Sequence, residues 1–520
     1  MHALTPKSRL SRRAALGLVA GAGGAAAIVA CAPQTGGAPA VSAGPVQPKA
    51  GGTLRVALGG NPPPNLEGHD SAGATLNATS PFYDRLVEYD DKGQLKGKLA
   101  ETFELSGDAK QLKLSLRKGV QFHNGRELTS DDIRFNITRS KTPGLSTSGT
   151  LIAMSGWWTG VETPDKYTVV LKSEQPRPTV WDYTELLQIV DKDATANKPI
   201  GTGPFQLAEY LPNTSVKYAR NKSYWQSGRP LLDGIDLNIQ SDLQAGVVRF
   251  ESGAVDVFVG PPARDSVRLK ADARYQLVLN PNSVSLPWLG FNTTVAPTSD
   301  KRFRQALSYA VDRKRINENV NLGLGVPQNL PWPKSSAAYD EAKSTKFAFD
   351  LDKAKALLKD AGVTTAEIEI EYFAGADAIP QILQGDFAKI GVKLNLKAGD
   401  PLVVRQNYAQ VKYKNVYMSS TSATLTDPIT FLSGVFFGAT GNGSGFNSDR
   451  YKQLTTQGAV EPDPAKRKQI FSDINDLLND EQFGMVATLT PSLILAGANV
   501  KGYAFRANGQ THYAELWLNG

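Results

Sequence analysis

Residues 368–396, IEIEYFAGADAIPQILQGDFAKIGVKLNL, decide the fold class of this chain. Apolar residues alternate with glutamates over 368–372, which predicts a strand, and apolar residues recur at helical spacing over 379–387. Residues 392–396 predict a second strand. Two strands joined through a helix are expected to be parallel, with a right-handed crossover. With the strands and helices that the rest of the chain predicts, this unit indicates a mixed α/β fold.

Capping signals set the expected helix ends elsewhere in the chain. A short polar residue ahead of an apolar periodic segment predicts a helix start, and Gly362 predicts the end of the helix before it. The helix starts predicted in this way are Ser130, Asp300, Asp350 or Asp352, and Asp463 followed by Pro464.

The amino terminus has the layout of an export signal. Four cations, Lys7, Arg9, Arg12 and Arg13, precede an uncharged run over 14–30 that ends at Cys31. A basic region, an apolar region and small residues before a cut are typical of such signals. Cleavage before Cys31 would leave its thiol at the mature amino terminus, free to be acylated. We therefore predict an export signal over 1–30 and a lipidated, flexible Gly/Ala/Pro-rich tether over 31–50.

Two alternatives for this segment stay open. A transmembrane helix is one, although the run over 14–30 is shorter than the ~20 residues that a span needs. Ser11-Arg12-Arg13 also resembles a twin-arginine export signal, with Ala15 where that motif usually carries Phe. The route of export, twin-arginine or general, is left undecided.

Composition excludes several classes of function. The formal charge of +7 includes the four cations of the signal, which leaves +3 for the mature chain, too weak a surplus to indicate nucleic acid. One cysteine excludes a disulfide framework. The signatures of hydrolases, P-loop proteins, dinucleotide-binding proteins and zinc proteases are absent. We expect no catalytic residues, no cofactor and, with four scattered histidines, no metal site. His123, in a turn-rich segment, is expected to be structural.

Several segments occur in an order that resembles one family. They are LAETFELS (99–106), LRKGVQFHNGRELTSDDI (116–133), GTGPF (201–205), RNKSYW (220–225), FNTT (291–294), FRQALSYAVD (303–312), DP (427–428) and DPAKR (463–467). The chain resembles the extracellular solute-binding proteins of family five, the oligopeptide, dipeptide and nickel class that serves ABC importers. Most of these motifs are expected to be scaffold. GTGPF, for example, predicts a turn whose glycines provide backbone freedom.

The resemblance implies a two-lobed, periplasmic-binding-protein-like fold of type II, with mixed sheets and a hinge. Domain I would comprise residues 51–87, 200–283 and 495–520, domain II residues 88–199, and domain III residues 284–494. Ligand would lie between domains I and III, and the lobes would close over it. The implied protein is an extracytoplasmic, membrane-anchored monomer, and its partners are a small-molecule ligand and an ABC permease with its ATPase.

The ligand class divides between peptides and oligosaccharides. Peptide binders of the family carry an acidic residue four positions before the Pro that matches Pro428, and it pairs with the peptide's ammonium. Here that residue is Thr424. A buried ammonium without a counter-charge is unfavourable, so this departure argues against free-amine peptides unless Asp427 or another carboxylate substitutes. Asp427 itself is most simply a helix cap. The hydroxyl-rich segment 419–426 suits a neutral, polyhydroxylated ligand.

Aromatic residues are candidates for contact with such a ligand. Aromatic rings in loops near a cleft stack on sugar rings or hold apolar side chains, but ordinary core packing is the alternative for each of them. The candidates are Trp288, Trp332, Trp158, Tyr83 and Tyr417.

Two other classes of function are weighed against the receptor. An exported hydrolase is suggested by the export signal and the abundant carboxylates, but no motif singles out an acid–base pair. A sensory receptor that presents its closed lobes to a membrane signalling protein is the other.

Overall fold

A computed structural model of the chain describes residues 47–59, 66–69, 73–90, 94–142, 144–195, 198–423, 427–434, 436–439, 441–505 and 509–519, without the side chains of 73–75, 149, 281–283 and 421–423. Cys31, Arg12, Arg13 and Thr424 lie outside the described residues. The segment Pro48–Gly520 forms one compact unit, which carries the hydrophobic cores discussed below.

Most strands of the described residues join one large mixed sheet. The strands are β1 Thr53–Gly59, β2 Val87–Tyr89, β3 Leu95–Gly97, β4 Ala100–Leu105, β5 Gln111–Leu116, β6 Gly160–Asp165, β7 Thr168–Lys172, β8 Phe205–Leu211, β9 Ser215–Arg220, β10 Gly234–Gln240, β11 Val257–Val259, β12 Tyr275–Phe291, β13 Ala366–Phe373, β14 Val392–Gly399, β15 Val416–Ala423, β16 Gly484–Val486, β17 Thr490–Gly497, β18 Val500–Lys501 and β19 Trp517–Leu518. The large sheet has the order β14-β13-β15-β12-β17-β11-β1-β10-β9-β8, and β16 pairs with β12. A separate antiparallel sheet has the order β4-β5-β7-β6.

Helices connect and cover these strands. They are α1 Gly73–Thr79, α2 Ser130–Lys141, α3 Gly149–Ser155, α4 Val180–Leu186, α5 Leu243–Glu251, α6 Ala263–Lys270, α7 Lys301–Ala310, α8 Arg313–Val320, α9 Glu341–Ser344, α10 Leu351–Asp360, α11 Ala378–Ala388, α12 Pro401–Ala409, α13 Pro428–Leu432, α14 Asp449–Val460 and α15 Pro464–Glu481, with a short 3₁₀ helix at Tyr513–Glu515.

The strand–helix–strand unit predicted from residues 368–396 is confirmed. Strands β13 and β14 pair in parallel, with Ala366 opposite Val392, and α11 joins them. Ile368, Ile370 and Leu383 are fully buried between the strands and the helix. The period-two and helical patterns of the sequence therefore identified the faces that pack together.

Most of the predicted helix caps are confirmed. The Asp300 carboxylate accepts from the backbone N–H of Arg302, and Asp463 caps α15 ahead of Pro464. Asp350, and not Asp352, caps α10. Gly362 follows the end of α10 with a φ of +73°, where a residue without a Cβ is favoured.

The prediction of Ser130 as a cap is wrong by one residue. Thr129 is the N-cap of α2, and its backbone N–H donates to the Asp132 carboxylate at 2.8 Å. Ser130 is the first helical residue, and its hydroxyl donates to the carbonyl of Asp165 at 2.7 Å. Both residues are polar and adjacent, so local sequence did not separate them. The contact with Asp165 draws Ser130 to the sheet.

Buried side chains divide the compact unit into two lobes. Two groups contain only residues between 284 and 489, which we call the second lobe. The other groups are drawn from residues 54–278 and 494–516, which we call the first lobe, and one of these groups comprises only residues 86–189. The domain limits predicted from the resemblance stay a prediction.

The motif over 303–312 is scaffold within the second lobe. The guanidinium of Arg304, 2% exposed, donates to the carbonyls of Glu481 and Gln482 at the end of α15, at 2.8 and 3.1 Å. It also donates to those of Thr298 and Ser299, both at 2.9 Å. Burial lowers the pKa of Arg304 to about 10. The arginine supplies donors to helix-end carbonyls that otherwise lack partners.

The glycines of GTGPF are required for a reason other than the expected backbone freedom. Neither Gly201 nor Gly203 has a positive φ, so backbone freedom does not explain them. A Cβ on Gly201 would lie 2.1 Å from the carbonyl oxygen of Phe82, and one on Gly203 would lie 2.5 Å from its carbonyl carbon. Close packing of two backbone segments requires glycine at both positions.

Candidate ligand-binding cleft

Two neighbouring strands connect the lobes. The first half of β12 pairs with β17 in the first lobe, and its second half pairs with β15 and β16 in the second lobe. The register between β12 and β17 shifts between Asn280 and Val284, at the boundary of the lobes. Asn280 donates to the carbonyl of Gly509 at 2.5 Å. An irregularity in two shared strands is a suitable place for a hinge.

Parallel strands end at one edge of each lobe, beside this boundary. Strands β13, β14 and β15 are parallel, so their carboxyl ends lie at one edge of the second lobe. Ala423, at the end of β15, pairs with Val284 at the boundary. In the first lobe, β1, β10 and β11 are parallel and end at a corresponding edge. The space between the carboxyl ends of such strands is where α/β proteins bind ligands.

Hydroxyls occur on the second-lobe edge, and their contact with a ligand stays a prediction. Ser419 is buried, and the Ser420 and Ser285 hydroxyls are 2.8 Å apart across β15 and β12. Two exposed apolar residues, Leu402 and Val403, start α12 at the end of β14. This edge therefore offers both hydroxyl and apolar contacts.

Asp427 is a helix cap, and its carboxylate is hydrogen-bonded to residues of its own lobe. Its Oδ1 accepts from the backbone N–H of Ile429 at 2.9 Å, which confirms the capping role. Both carboxylate oxygens accept from the guanidinium of Arg467, at 2.9 and 3.1 Å. The two side chains are each 13% exposed. A two-pronged arginine contact of this kind fixes the carboxylate in position.

Asp427 also makes a direct contact between the lobes. Its backbone N–H donates to Oδ2 of Asp182 at 3.2 Å. Asp182 lies on α4 of the first lobe and is 3% exposed. The bond therefore joins the residue after the hydroxyl-rich segment to the opposite lobe.

No local motif predicts the roles of Asp182 and Arg467. Arg467 lies in the quoted DPAKR motif, 40 residues from its partner Asp427, and Asp182 is 245 residues from its contact. The only local signal was the DP pair at 427–428, which identifies the cap but neither partner.

Three of the predicted aromatic residues meet in one core of the second lobe. Trp288 is 1% exposed, its indole N–H donates to the Tyr408 hydroxyl at 3.2 Å, and its ring centre is 4.2 Å from that of Phe437. Tyr417 is fully buried and stacks on Tyr408 at 4.0 Å. Trp332 is 2% exposed and donates to Asn475 at 2.6 Å. All three rings have the core packing that was the alternative to ligand contact, and contact with ligand stays a prediction.

The other two predicted aromatic residues lie in separate cores. Trp158 is 3% exposed and packs 5.8 Å from the ring of Tyr183 in the group over 86–189. Tyr83 is 1% exposed and packs 4.4 Å from the ring of Phe82. The structure does not bring these residues together with Trp288, and their contact with ligand also stays a prediction.

A partly buried ion pair connects the segment after β1 to α2. The Arg139 guanidinium donates to the Glu67 carboxylate at 2.7 and 2.8 Å and contacts Nδ1 of His69 at 2.9 Å. The other ring nitrogen of His69 lies 3.1 Å from the carbonyl of Gln188. Burial, with the charge of Arg139, lowers the pKa of His69 to about 4. The ring is neutral at neutral pH, and its Nδ1 accepts from Arg139.

The described residues lack a membrane-spanning helix and a metal-ligand cluster. No helix among them is both long and apolar enough to cross a membrane. They contain no group of three or more His, Cys, Asp or Glu residues placed to hold a metal ion.

Comparison with known proteins identifies the family. Residues 94–443 match the family described as bacterial extracellular solute-binding proteins, family 5 (middle). The chain belongs to this family. It is 27% identical over 492 residues to the dipeptide-binding protein of Escherichia coli (strain K12), a match covering 86% of this chain and 91% of that protein.

Solved structures share the fold. The periplasmic binding protein DppA from Helicobacter pylori, in complex with peptide STSA, superimposes with a TM-score of 0.77 at 21% identity, over 91% of this chain and 99% of that one. The binding protein AgaA from A. tumefaciens R10, in complex with agropinic acid, gives 0.75 at 25% identity, over 90% and 99%. The two-lobed type II fold with mixed sheets is thereby confirmed.

Family membership establishes the general function. Family 5 proteins are the extracytoplasmic solute-binding components of ABC importers, which bind peptides or similar small molecules and work with a permease and an ATPase. The expectation that the chain is a binding protein and not an enzyme is confirmed on this ground.

Proposed function

We propose that this protein is a lipid-anchored receptor that captures a peptide or another medium-sized polar solute between its lobes. It acts as a monomer and delivers the solute to its permease. The observation that carries this proposal is the hydrogen bond from the Asp427 N–H to Asp182, which joins the lobes beside the hydroxyl-rich segment. Contacts of this kind exist only when the cleft is closed, so they favour the loaded form.

Peptide is the first candidate ligand. The Escherichia coli relative is a dipeptide-binding protein, and the Helicobacter pylori structure was solved with a peptide. If the ligand has a free amine, a carboxylate outside segment 419–427 must receive it. That segment has Asp427 as its only acidic residue, and Asp427 is bound to Arg467.

A neutral, polyhydroxylated solute such as an oligosaccharide is the second candidate. Its support is the same commitment of Asp427, together with Thr424 at the position where peptide binders carry an acid. The Ser420 hydroxyl, exposed at the second-lobe edge, is a suitable partner for sugar hydroxyls. The relative solved with agropinic acid adds that this fold accepts ligands other than the peptide of the Helicobacter pylori complex.

A thermal-shift screen of the unit Pro48–Gly520 tests the two candidates. Pooled peptides and pooled oligosaccharides are added separately, and the purified protein is checked by mass spectrometry for a ligand carried through purification. A ligand that binds only the folded state raises the melting temperature by mass action. A shift with sugars alone supports the second candidate, and a shift with peptides alone removes it.

Replacing Asp182 tests the closing contact. We expect Asp182→Ala to weaken binding of the ligand found in the screen about tenfold, because a hydrogen bond to a charged group contributes about 1.5–3 kcal/mol. Asp182→Asn keeps an oxygen acceptor and should lose less. Affinity is measured by calorimetry, and closure by the radius of gyration in X-ray scattering.

Asp193→Ala is the matched control for this variant. Asp193 is an exposed carboxylate of the same lobe, paired with Lys192, and its removal should leave affinity within about twofold. Unchanged affinity in Asp182→Ala would remove the bond from the closing mechanism. Unfolding of each variant is measured separately, so that a loss of stability is not mistaken for a loss of binding.

Lipid attachment at Cys31 has its own test. We expect Cys31→Ser to move the protein from the membrane fraction to the soluble fraction, and the mass of the wild-type amino-terminal peptide to include acyl chains. If the variant stays in the membrane with residues 1–30 uncleaved, those residues act as a transmembrane anchor. Loss of export in Arg12→Lys, Arg13→Lys would indicate the twin-arginine route.

A further inference from the structure

A cavity of about 690 Å³ lies between the lobes, beside the contact between Asp182 and Asp427. Each lobe contributes half of its lining. The first-lobe residues include Gly107 and Trp181, and the second-lobe residues include Arg467, Lys468 and Phe471. A volume of this size is typical of sites for small molecules.

The lining combines apolar walls with positive charge. Trp181, held edge-on by Phe103 at 5.4 Å, lines the first-lobe side, and Phe471 lines the other, with the Arg467 guanidinium 5.0 Å above its ring. No residue of the lining is acidic. Arg467 is neutralised by Asp427, which leaves Lys468 as the second cation.

Lys468 is an exposed residue of the lining and forms no ion pair among the described residues. The acidic residues next to the lining in sequence are Glu104, Asp108, Asp182, Glu461 and Asp463, and Asp108 and Asp463 form hydrogen bonds on their own segments. Asp463 caps α15 through the N–H groups of Ala465 and Lys466, and Asp108 accepts from Ser106 at 2.6 Å.

We propose that this cavity is a second binding site, separate from the solute cleft, for a small amphipathic anion. Its ligand carries a carboxylate or sulfonate, which Lys468 pairs with, on an aromatic or branched aliphatic body that fits between Trp181 and Phe471. Because both lobes line the cavity, the anion contacts both only when they are closed. Occupancy therefore favours the closed form and couples this site to solute binding.

Binding of 2-naphthalenesulfonate to the unit Pro48–Gly520 tests the proposal. By calorimetry, we expect the sulfonate to bind about tenfold or more tightly than uncharged 2-naphthalenemethanol. Lys468→Glu should weaken the sulfonate by about tenfold or more and leave the alcohol unchanged. Lys466→Glu, an exposed lysine on the same helix outside the lining, is the matched control and should change neither by more than about twofold.

A variant that obstructs the cavity tests the site without changing its charge. A Cβ on Gly107 meets no atom within 4 Å, and Gly107 has no positive φ, so Gly107→Phe places a large ring at the lining without strain. It should abolish sulfonate binding. Saturating sulfonate should also reduce the radius of gyration of the wild-type protein. Absence of binding, equal binding of sulfonate and alcohol, or equal effects of Lys468→Glu and Lys466→Glu would overturn the proposal, and none of these outcomes bears on the solute screen.

Discussion

Replacing Trp288 with alanine is expected to lower the free energy of unfolding by about 3–5 kcal/mol, the usual cost of removing a large aromatic side chain from a core. Trp288 is 1% exposed and contacts the rings of Phe437 and Phe483. A Cβ on Gly484 would lie 1.9 Å from its ring, so the backbone of β16 is fitted against the indole. The change is measured by chemical denaturation.

Two further measurements define what Trp288 does. Leu402→Ala, in the same lobe but 65% exposed, should change stability by less than about 0.5 kcal/mol. If the indole also stacks on the ligand, the affinity of the folded fraction of Trp288→Ala falls more than about tenfold. Unchanged affinity with reduced stability would limit Trp288 to the core. Unchanged stability would contradict the packing described above.

Stability is expected to fall steeply as the pH drops from about 6.5 to about 4. His69 is fully buried and His123 is partly buried, and desolvation lowers the pKa of each to about 4. The unfolded chain therefore binds protons at these positions that the folded protein does not. The stabilisation is complete above the unfolded pKa and is lost as the pH falls towards the folded pKa. Each histidine contributes at most about 3 kcal/mol to the decrease in the free energy of unfolding.

Glutamine variants isolate the two histidines from other titrating groups. In His123, one ring nitrogen accepts from the N–H of Gly201 and the other lies 3.1 Å from the carbonyl of Gly203, so the expectation that it is structural is confirmed. Glutamine offers a donor at the same reach and does not titrate. His69→Gln, His123→Gln should flatten the dependence of the unfolding free energy on pH between 6.5 and 4. A slope equal to that of the wild type would assign the acid sensitivity to other groups.

Much of the fold could be predicted from short segments. The alternation over 368–372 and the caps at Asp300 and Asp463 depend on interactions within a few residues, and the structure confirms them. Local signals did not distinguish the predicted cap, Ser130, from the observed cap, Thr129. The two hydroxyl residues are adjacent, and the hydroxyl of Ser130 bonds instead to the distant carbonyl of Asp165.

The candidate site was less accessible to prediction. The sequence marked the DP pair and the tryptophans, but each tryptophan chosen as a ligand contact packs in a core. The residue type indicates that a large aromatic ring must be covered by other apolar groups. It does not indicate whether a ligand or other side chains provide these groups.

By itself, the sequence determined the α/β class, the family and the helix cap at Asp427, because local hydrogen bonding and side-chain periodicity are properties of neighbouring residues. Only the tertiary structure decided that the Asp427 carboxylate is bound to Arg467 and that its N–H meets Asp182. These partners lie 40 and 245 residues away, and their proximity depends on how the whole chain packs. Whether the Asp427 carboxylate is free to pair with a ligand therefore depends on the tertiary structure and not on the segment around it.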